Sequence, residues 1–422
     1  IYGTGEYGRY AYKDGKGGGL YDGLWTWGPK LDQKDPQSPS GIWETVQYNS
    51  PIDPETGERI PLPFVSHKNN FKNFLQEGLV TDNNVSVAKK FNGGSFRVSL
   101  NQMYRRGQTP NTNLKKFGIT AAANYDITKK LHIDMNMIYS YIYSKNRPWS
   151  GYGNQHPYYN ILVYMGTNND ILDLKDYWEE GQVGYAQRNW NHTWFNNPWF
   201  VAYEFTRPYS EPELIASASL DYDIIDGLNF MVKVATDSKH QNQEECKPYA
   251  WVGNDNGCYA VSSDRNVDVN IDAMLSYKKK FGWFDVDAMV GASVYDSMRN
   301  YQWASTDGGL LQPDLYNVSN STNSPKVTTT IQRRRMKGVY GTTTFGALNA
   351  IFLTFTGRND WSSTLNQDNN SFFYPSVSLS GVMTSLINLP KAISFWKVRG
   401  SWAKVGFDQS SVYLLENTYS FN

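Results

Sequence analysis

The chain has 422 residues, 40 Lys and Arg against 40 Asp and Glu, a formal net charge of zero and a mean hydropathy of −0.57. That balance excludes a bulk field for capturing nucleic acid or an anionic surface. No run approaches the roughly 18 apolar residues of a membrane helix, so any membrane crossing must be made by strands. Aromatic residues stand out at 15%, with 30 Tyr, 20 Phe and 14 Trp. Rings with a polar tip suit both the girdles of a membrane barrel and sugar-binding surfaces.

Residues 1–78 are rich in Gly and Pro and read as one long loop region. Asp14–Gly19 has the glycine density of a phosphate cradle but lacks the flanking strand and helix start, so it reads as a flexible loop. From 79 to 407, segments of about ten residues alternate apolar and polar side chains. Twelve strands are predicted, near 80–88, 96–104, 114–125, 131–143, 214–222, 228–237, 266–277, 283–294, 333–345, 350–358, 371–384 and 394–407. Leu131–Tyr143 shows the pattern best. Leu131, Ile133, Met135, Met137, Tyr139, Tyr141 and Tyr143 share one face; His132, Asp134, Asn136 and Ser140 share the other. Residues 408–422 read as the start of a further loop.

The connections alternate between short and long. Short joins fall at Lys89–Ser95, Asp126–Lys130, Asp223–Gly227, Lys278–Gly282, Gly346–Asn349 and Ser385–Ile393; long ones at Arg105–Asn113, Ser144–Pro212, Ser238–Arg265, Tyr295–Gln332 and Asn359–Asn370. A soluble sandwich has no reason to gather its long loops at one end, whereas an outer-membrane barrel has short periplasmic turns and long outward loops. The predicted class is all-β, an antiparallel transmembrane β-barrel. The polar alternates Asp134, Asn136, Asp268, Asp272, Asp285 and Asp287 are then candidate lumen residues. Both chain ends fall on the long-loop side, which predicts further strands before and after this segment.

No nucleophile, base and acid constellation stands out, and no enzyme or cofactor is predicted. Asp285 and Asp287 share a face but read as polar lining rather than a catalytic pair. The clusters Lys278–Lys280 and Arg333–Arg335 read as solvated turn and strand-end charges. Asn254–Gly257 and Asn168–Asp176 carry oxygen ligands for Ca²⁺, yet neither matches an EF-hand and both read as turns. Cys246 and Cys258 fall in one predicted loop, where an oxidising compartment would favour a disulfide; with five scattered His they fit no zinc pattern. The long loops concentrate aromatics, and Trp25, Trp27, Trp178, Trp190, Trp194 and Trp199 are candidate substrate-stacking residues. The alternative is that these rings pack the loops on one another and against a partner.

Several stretches carry a family resemblance. Gly357-Arg-Asn-Asp-Trp-Ser-Ser-Thr-Leu365, Asn370-Ser-Phe-Phe-Tyr-Pro-Ser-Val-Ser-Leu379 and Lys397-Val-Arg-Gly-Ser-Trp-Ala-Lys-Val-Gly406 resemble the SusC/RagA-type TonB-dependent transporters of Bacteroidota. Upstream, Asp14–Gly19, Trp27-Gly-Pro-Lys30, Asp53-Pro-Glu-Thr-Gly-Glu-Arg59, Asn73-Phe-Leu75, Lys145-Asn-Arg-Pro148, Tyr177-Trp178 and Asn196-Asn-Pro-Trp-Phe200 fit in consistent order. The resemblance implies about twelve strands of a 22-stranded barrel in the cell outer membrane. The plug domain, through which TonB would act, is expected outside this segment. It also implies a SusD-like surface lipoprotein partner and import of an oligosaccharide or peptide. A passive porin-type channel and a secreted β-rich glycan-binding protein or hydrolase are the rival readings.

Overall fold

The computed structural model describes residues 1–13, 16–17, 25–390, 392–406, 408 and 411–415. The loop Asp14–Gly19 therefore lies outside the described residues except at Lys16 and Gly17. Twelve strands form one antiparallel sheet in which each pairs with its neighbours in sequence. They are β1 Leu79–Phe91, β2 Gly94–Arg106, β3 Asn113–Asp126, β4 Leu131–Ser144, β5 Tyr209–Ile225, β6 Leu228–Lys247, β7 Cys258–Phe281, β8 Phe284–Leu310, β9 Ser321–Ala347, β10 Ile351–Ser362, β11 Ser371–Val382 and β12 Lys397–Ala403. The predicted number and order of strands hold.

Tight turns set the register at one end. Gly227, between β5 and β6, and Gly282, between β7 and β8, have φ of +80° and +65°, values that a side chain would strain. From there one parity runs across the sheet. Asn136 lies opposite Ser217, Ser217 opposite Ala235, Ala235 opposite Asn270, Asn270 opposite Tyr295, and Tyr295 opposite Met336. The other parity is apolar: Ile133 faces Leu220, Leu220 faces Val232, Val232 faces Ala273, Ala273 faces Ala292, and Ala292 faces Val339. The sheet is therefore two-faced over nearly its whole width. Apolar side chains such as Val85, Met135, Val290 and Leu379 stand exposed on one face with nothing packed over them. On a soluble protein such a continuous patch would be a large liability; facing lipid, it is at rest.

Two predicted loops are mostly strand. β6 and β7 run to Lys247 and from Cys258, and β8 and β9 run to Leu310 and from Ser321. β8 and β9 are each 27 residues long, far beyond the roughly ten that cross a bilayer. Past the apolar band both faces meet water, so the alternation that betrays a strand disappears from the sequence while the backbone ladder continues.

Above the sheet, at the long-loop end, the described residues of 1–78 fold together with 145–208 and 248–257 as a cap. Phe74, Ile171, Leu174, Trp190, Phe195 and Trp199 share its main apolar cluster.

Candidate functional site

All six candidate lumen residues lie on the polar face. Asp134 is opposite Asn124 and Ser219, Asp272 opposite Lys233 and Ser293, and Asp268 opposite Asp237 and Ser297. They do not form one cluster. Asp285 and Asp287 sit by the short turns, opposite Lys280 and Lys278. Lys278 reaches Asp287 at 3.3 Å, Lys279 reaches Asp226 at 3.7 Å, and Lys280 donates to Asn349 at 2.9 Å. The lysine triplet is a set of turn charges.

A denser polar group lies higher on the same face, near Asp272. The Arg358 Nε donates to both Asp360 carboxylate oxygens at 2.9 Å, while its outer nitrogen reaches Ser293 Oγ at 3.2 Å. The guanidinium also lies 5.2 Å from the Tyr340 ring centroid. Gly338 makes room: a Cβ there would stand 2.4 Å from Asp360 Oδ1 and 2.7 Å from Arg358. Nearby, Arg334 donates to Asp408 at 2.8 and 2.9 Å, and Ser362 donates to the same carboxylate at 2.8 Å. Sequence alternation missed this group because its neighbours on the opposite face, Gly357 and Asn359, are not apolar. The signal that could have found it is the Gly357–Leu365 motif, which contains both Arg358 and Asp360.

The cap is held by buried amides. Asn197 accepts from Trp199 N at 2.8 Å, starting the helix Pro198–Glu204, and donates to the carbonyls of Leu174 and Arg188, each at 2.8 Å. Asn70 bridges the opening segment to the long loop, donating to Asn169 O at 2.7 Å and accepting from Ile171 N at 3.1 Å. Thr4 donates through its backbone N–H to Asn168 Oδ1 at 2.8 Å. Asn154 and Gln187 tie in residues 248–257 through the carbonyls of Val252 and Ala250. Burial and the adjacent Asp173 hold the Tyr48 phenol above its usual range as it donates to that carboxylate at 2.7 Å. Arg188 binds both oxygens of Asp173. The side-chain oxygens of Asn168, Asn169, Asp170 and Asp173 are thus bonded to protein partners, and Asn254 bonds within its own turn to Asn256 and Gly257.

The candidate tryptophans divide. Trp190, 1% exposed, stacks on Phe195, and Trp199, 5% exposed, donates to Ile171 O at 2.6 Å. These two are sealed in the cap core, and the expectation of substrate contact is corrected for them. Trp178 packs edge-on against Phe200 at 5.3 Å. Trp194 stands 53% exposed on the cap surface. Trp25 and Trp27, 53% and 69% exposed, come together with Tyr2, Glu6 and Tyr7 around an open cup of about 510 Å³. That cup offers ring faces and one carboxylate to a ligand.

The expected disulfide is also corrected. Cys246 lies opposite Tyr259 and Cys258 opposite Lys247, and both are free thiols. Successive strand residues point to opposite faces, so these thiols are directed apart across the sheet.

No family model matches the chain. TonB-dependent receptor P3 of Formosa agariphila is 22% identical over 354 residues, covering 80% of this chain and 34% of that relative. TonB-dependent receptor P26 of the same organism is 23% identical over 388 residues, covering 86% and 37%. The structure of the RagAB peptide importer in its closed-closed state superposes with a TM-score of 0.64 at 14% identity, over 87% of this chain and 39% of that one. Its open-open state gives a TM-score of 0.63. The chain is similar to TonB-dependent receptors. The SusC/RagA-like resemblance holds, and so does the class, an all-β antiparallel barrel sheet. The chain spans little more than a third of the relatives it matches.

Proposed function

We propose that this chain forms wall, lumen lining and outward cap of an outer-membrane importer driven by TonB, which takes up an oligosaccharide or peptide with a SusD-like surface lipoprotein. The single observation behind this reading is the twelve-stranded sheet with an exposed apolar face, a polar face and a folded cap at one end only, in a chain similar to TonB-dependent receptors. An uncovered apolar face is incompatible with the secreted rival. Asp134, Asn136, Asp268, Asp272, Asp285 and Asp287 would line the lumen, with Arg358, Asp360 and Arg334 above Asp272. Exposed cap aromatics, Trp25, Trp27 and Trp194, would meet the cargo or the lipoprotein, while Trp178, packed on Phe200, would brace the cap. The described residues of 1–78 would act as part of the cap, and those of 79–407 as strands and loops.

The test is detergent extraction of the native protein from outer membranes, with mass spectrometry of what co-purifies. A large heat-modifiable barrel arriving with a surface lipoprotein and a trapped oligosaccharide or peptide is the expected result. Recovery in the aqueous fraction would overturn the reading.

A further inference from the structure

The apolar face ends at one edge in a cluster of cations. On β8, Phe284, Val286, Ala288, Val290, Ala292 and Val294 share the outward parity, and their eleven-residue span covers roughly 33 Å along the strand. At the tilt of a barrel strand this is a band of about 25 Å, the height of a hydrocarbon core. On β9 the same face reads Phe345, Thr343, Gly341 and Val339, and then Lys337, Arg335 and Arg333. The change from apolar to basic falls at the edge towards the cap. Arg265 of β7 lies beyond the band on the same face, opposite Asn300, which is itself opposite Ile331. Lys337 is paired across to Trp361, and Phe373 stands exposed one strand further on. Aromatics beside cations at a band edge mark a membrane interface.

The charges on this face do not balance. Asp296 is the only acid that the described residues of β7 to β11 place on the outward parity. Arg333 binds it at 3.0 and 3.1 Å, and Arg335 binds the same carboxylate. Two guanidinium groups share one carboxylate, so N–H donors are left over, and Lys337 and Arg265 add two more cations. Arg333, Arg335, Lys337 and Arg265 all stand exposed. A solvated strand-end charge cluster has no need to sit on the outward face, directly at the edge of the lipid band, with a tryptophan beside it.

We propose that Arg333, Arg335, Lys337 and Arg265 form a phosphate-binding patch that holds the anionic headgroup of an outer-leaflet glycolipid whose acyl chains lie on the apolar band. Arginine presents forked donors that match a phosphate, and the already paired Asp296 fixes the two forks side by side. The patch rests on the outer-membrane reading above, which places the cap edge at the outer leaflet. Its role is to seat a fixed lipid against the barrel wall.

The experiment uses the full-length protein, purified in detergent from the membrane fraction, with binding of fluorescent monophosphoryl lipid A compared with its dephosphorylated form. Parent protein is expected to prefer the phosphorylated lipid. The R333Q/R335Q/K337Q variant should lose that preference by on the order of a hundredfold, at about fivefold for each basic side chain near a charged membrane surface. R333K/R335K keeps the charge and should stay within a few-fold of the parent, while heat-modifiable migration reports that each variant folds. Equal affinity for the two lipids, or a triple variant that binds like the parent, overturns the patch. Displacement of the lipid by inorganic phosphate at matched concentration would show a free-anion site and overturn the lipid assignment. Recovery of the protein in the aqueous fraction would instead sink the outer-membrane reading, and fractionation reports that before any lipid is added.

Discussion

The sheet and the cap solve opposite problems with opposite materials. In the sheet the backbone satisfies itself, so side chains are free to sort by solvent: Ser, Thr, Asn and Asp on one face, Val, Leu, Phe and Met on the other. The cap has little regular structure to satisfy its backbone, and there buried amides such as Asn70, Asn160, Asn196 and Asn197 take the place of a ladder. Apolar groups are exposed in the first region and polar groups buried in the second. The usual inside-outside rule is inverted in the sheet, while the cap keeps an apolar core and buries amides beside it, for reasons that can be separated by experiment.

The largest effect is expected in the cap core. Trp190→Ala should cost about 3–5 kcal/mol of local stability, the range for emptying a buried aromatic site. Trp194→Ala, four residues along and half exposed, should cost little. Limited proteolysis of residues 145–208 in the full-length barrel reads the difference. Equal protection in the two variants would mean that the cap does not pack on Trp190. In the sheet the corresponding break is Val290→Arg, near the middle of the apolar band, expected to cost about 2–4 kcal/mol in urea unfolding from lipid. Met289→Arg, one residue earlier and so on the polar face, should fold almost as the parent does. If the two variants change places, the face assignment is reversed.

An intermediate effect tests the amides. Asn197→Leu keeps the volume but removes the helix cap and strands the carbonyls of Leu174 and Arg188. A lost cap is worth about 1 kcal/mol, and each buried acceptor left without a donor about 1–3. Hydrogen exchange at Trp199 and Val201 should quicken while exchange in β7 and β8 stays as it was. A change that spread into the sheet would show that cap and barrel unfold as one unit.

The same contrast explains what could be read from the chain. Period-two alternation made β4 and the lower parts of β5 to β8 plain, since lipid and water on opposite faces impose it directly. It faded where both faces are wet, which is why the upper halves of β8 and β9 read as loop. The shared face of Asp134, Asp268 and Asp272 followed from parity alone. Which tryptophans are buried did not. Trp190 and Trp194 belong to one aromatic run, and what separates them is the stacking of Trp190 on Phe195 deep in the cap, a matter of tertiary contact. The cysteine pairing failed for a related reason: a loop could have brought Cys246 and Cys258 together, but a ladder that continues to Lys247 and resumes at Cys258 points them apart.

The smallest effect concerns acidity in the cap. Glu204, at the end of its helix, accepts a hydrogen bond from Tyr177 at 2.7 Å, and burial raises its carboxyl pKa above the ordinary 4.5. Tyr177 favours the charged form, yet burial outweighs it, and Asp314 pushes in the same direction as burial. A carboxyl whose folded pKa is raised binds its proton more tightly in the folded state. Its contribution to stability is therefore complete below the unfolded value and is lost as pH rises through the folded one. The cap should loosen slightly as pH climbs from about 4.5 towards neutrality, seen as faster hydrogen exchange in Pro198–Glu204 after correction for intrinsic rates. Glu204→Gln, which keeps an acceptor for Tyr177 without the charge, should flatten that slope. A slope that persists in the variant would assign it to another group, and one of opposite sign would mean that the Tyr177 hydrogen bond, not burial, governs this carboxyl.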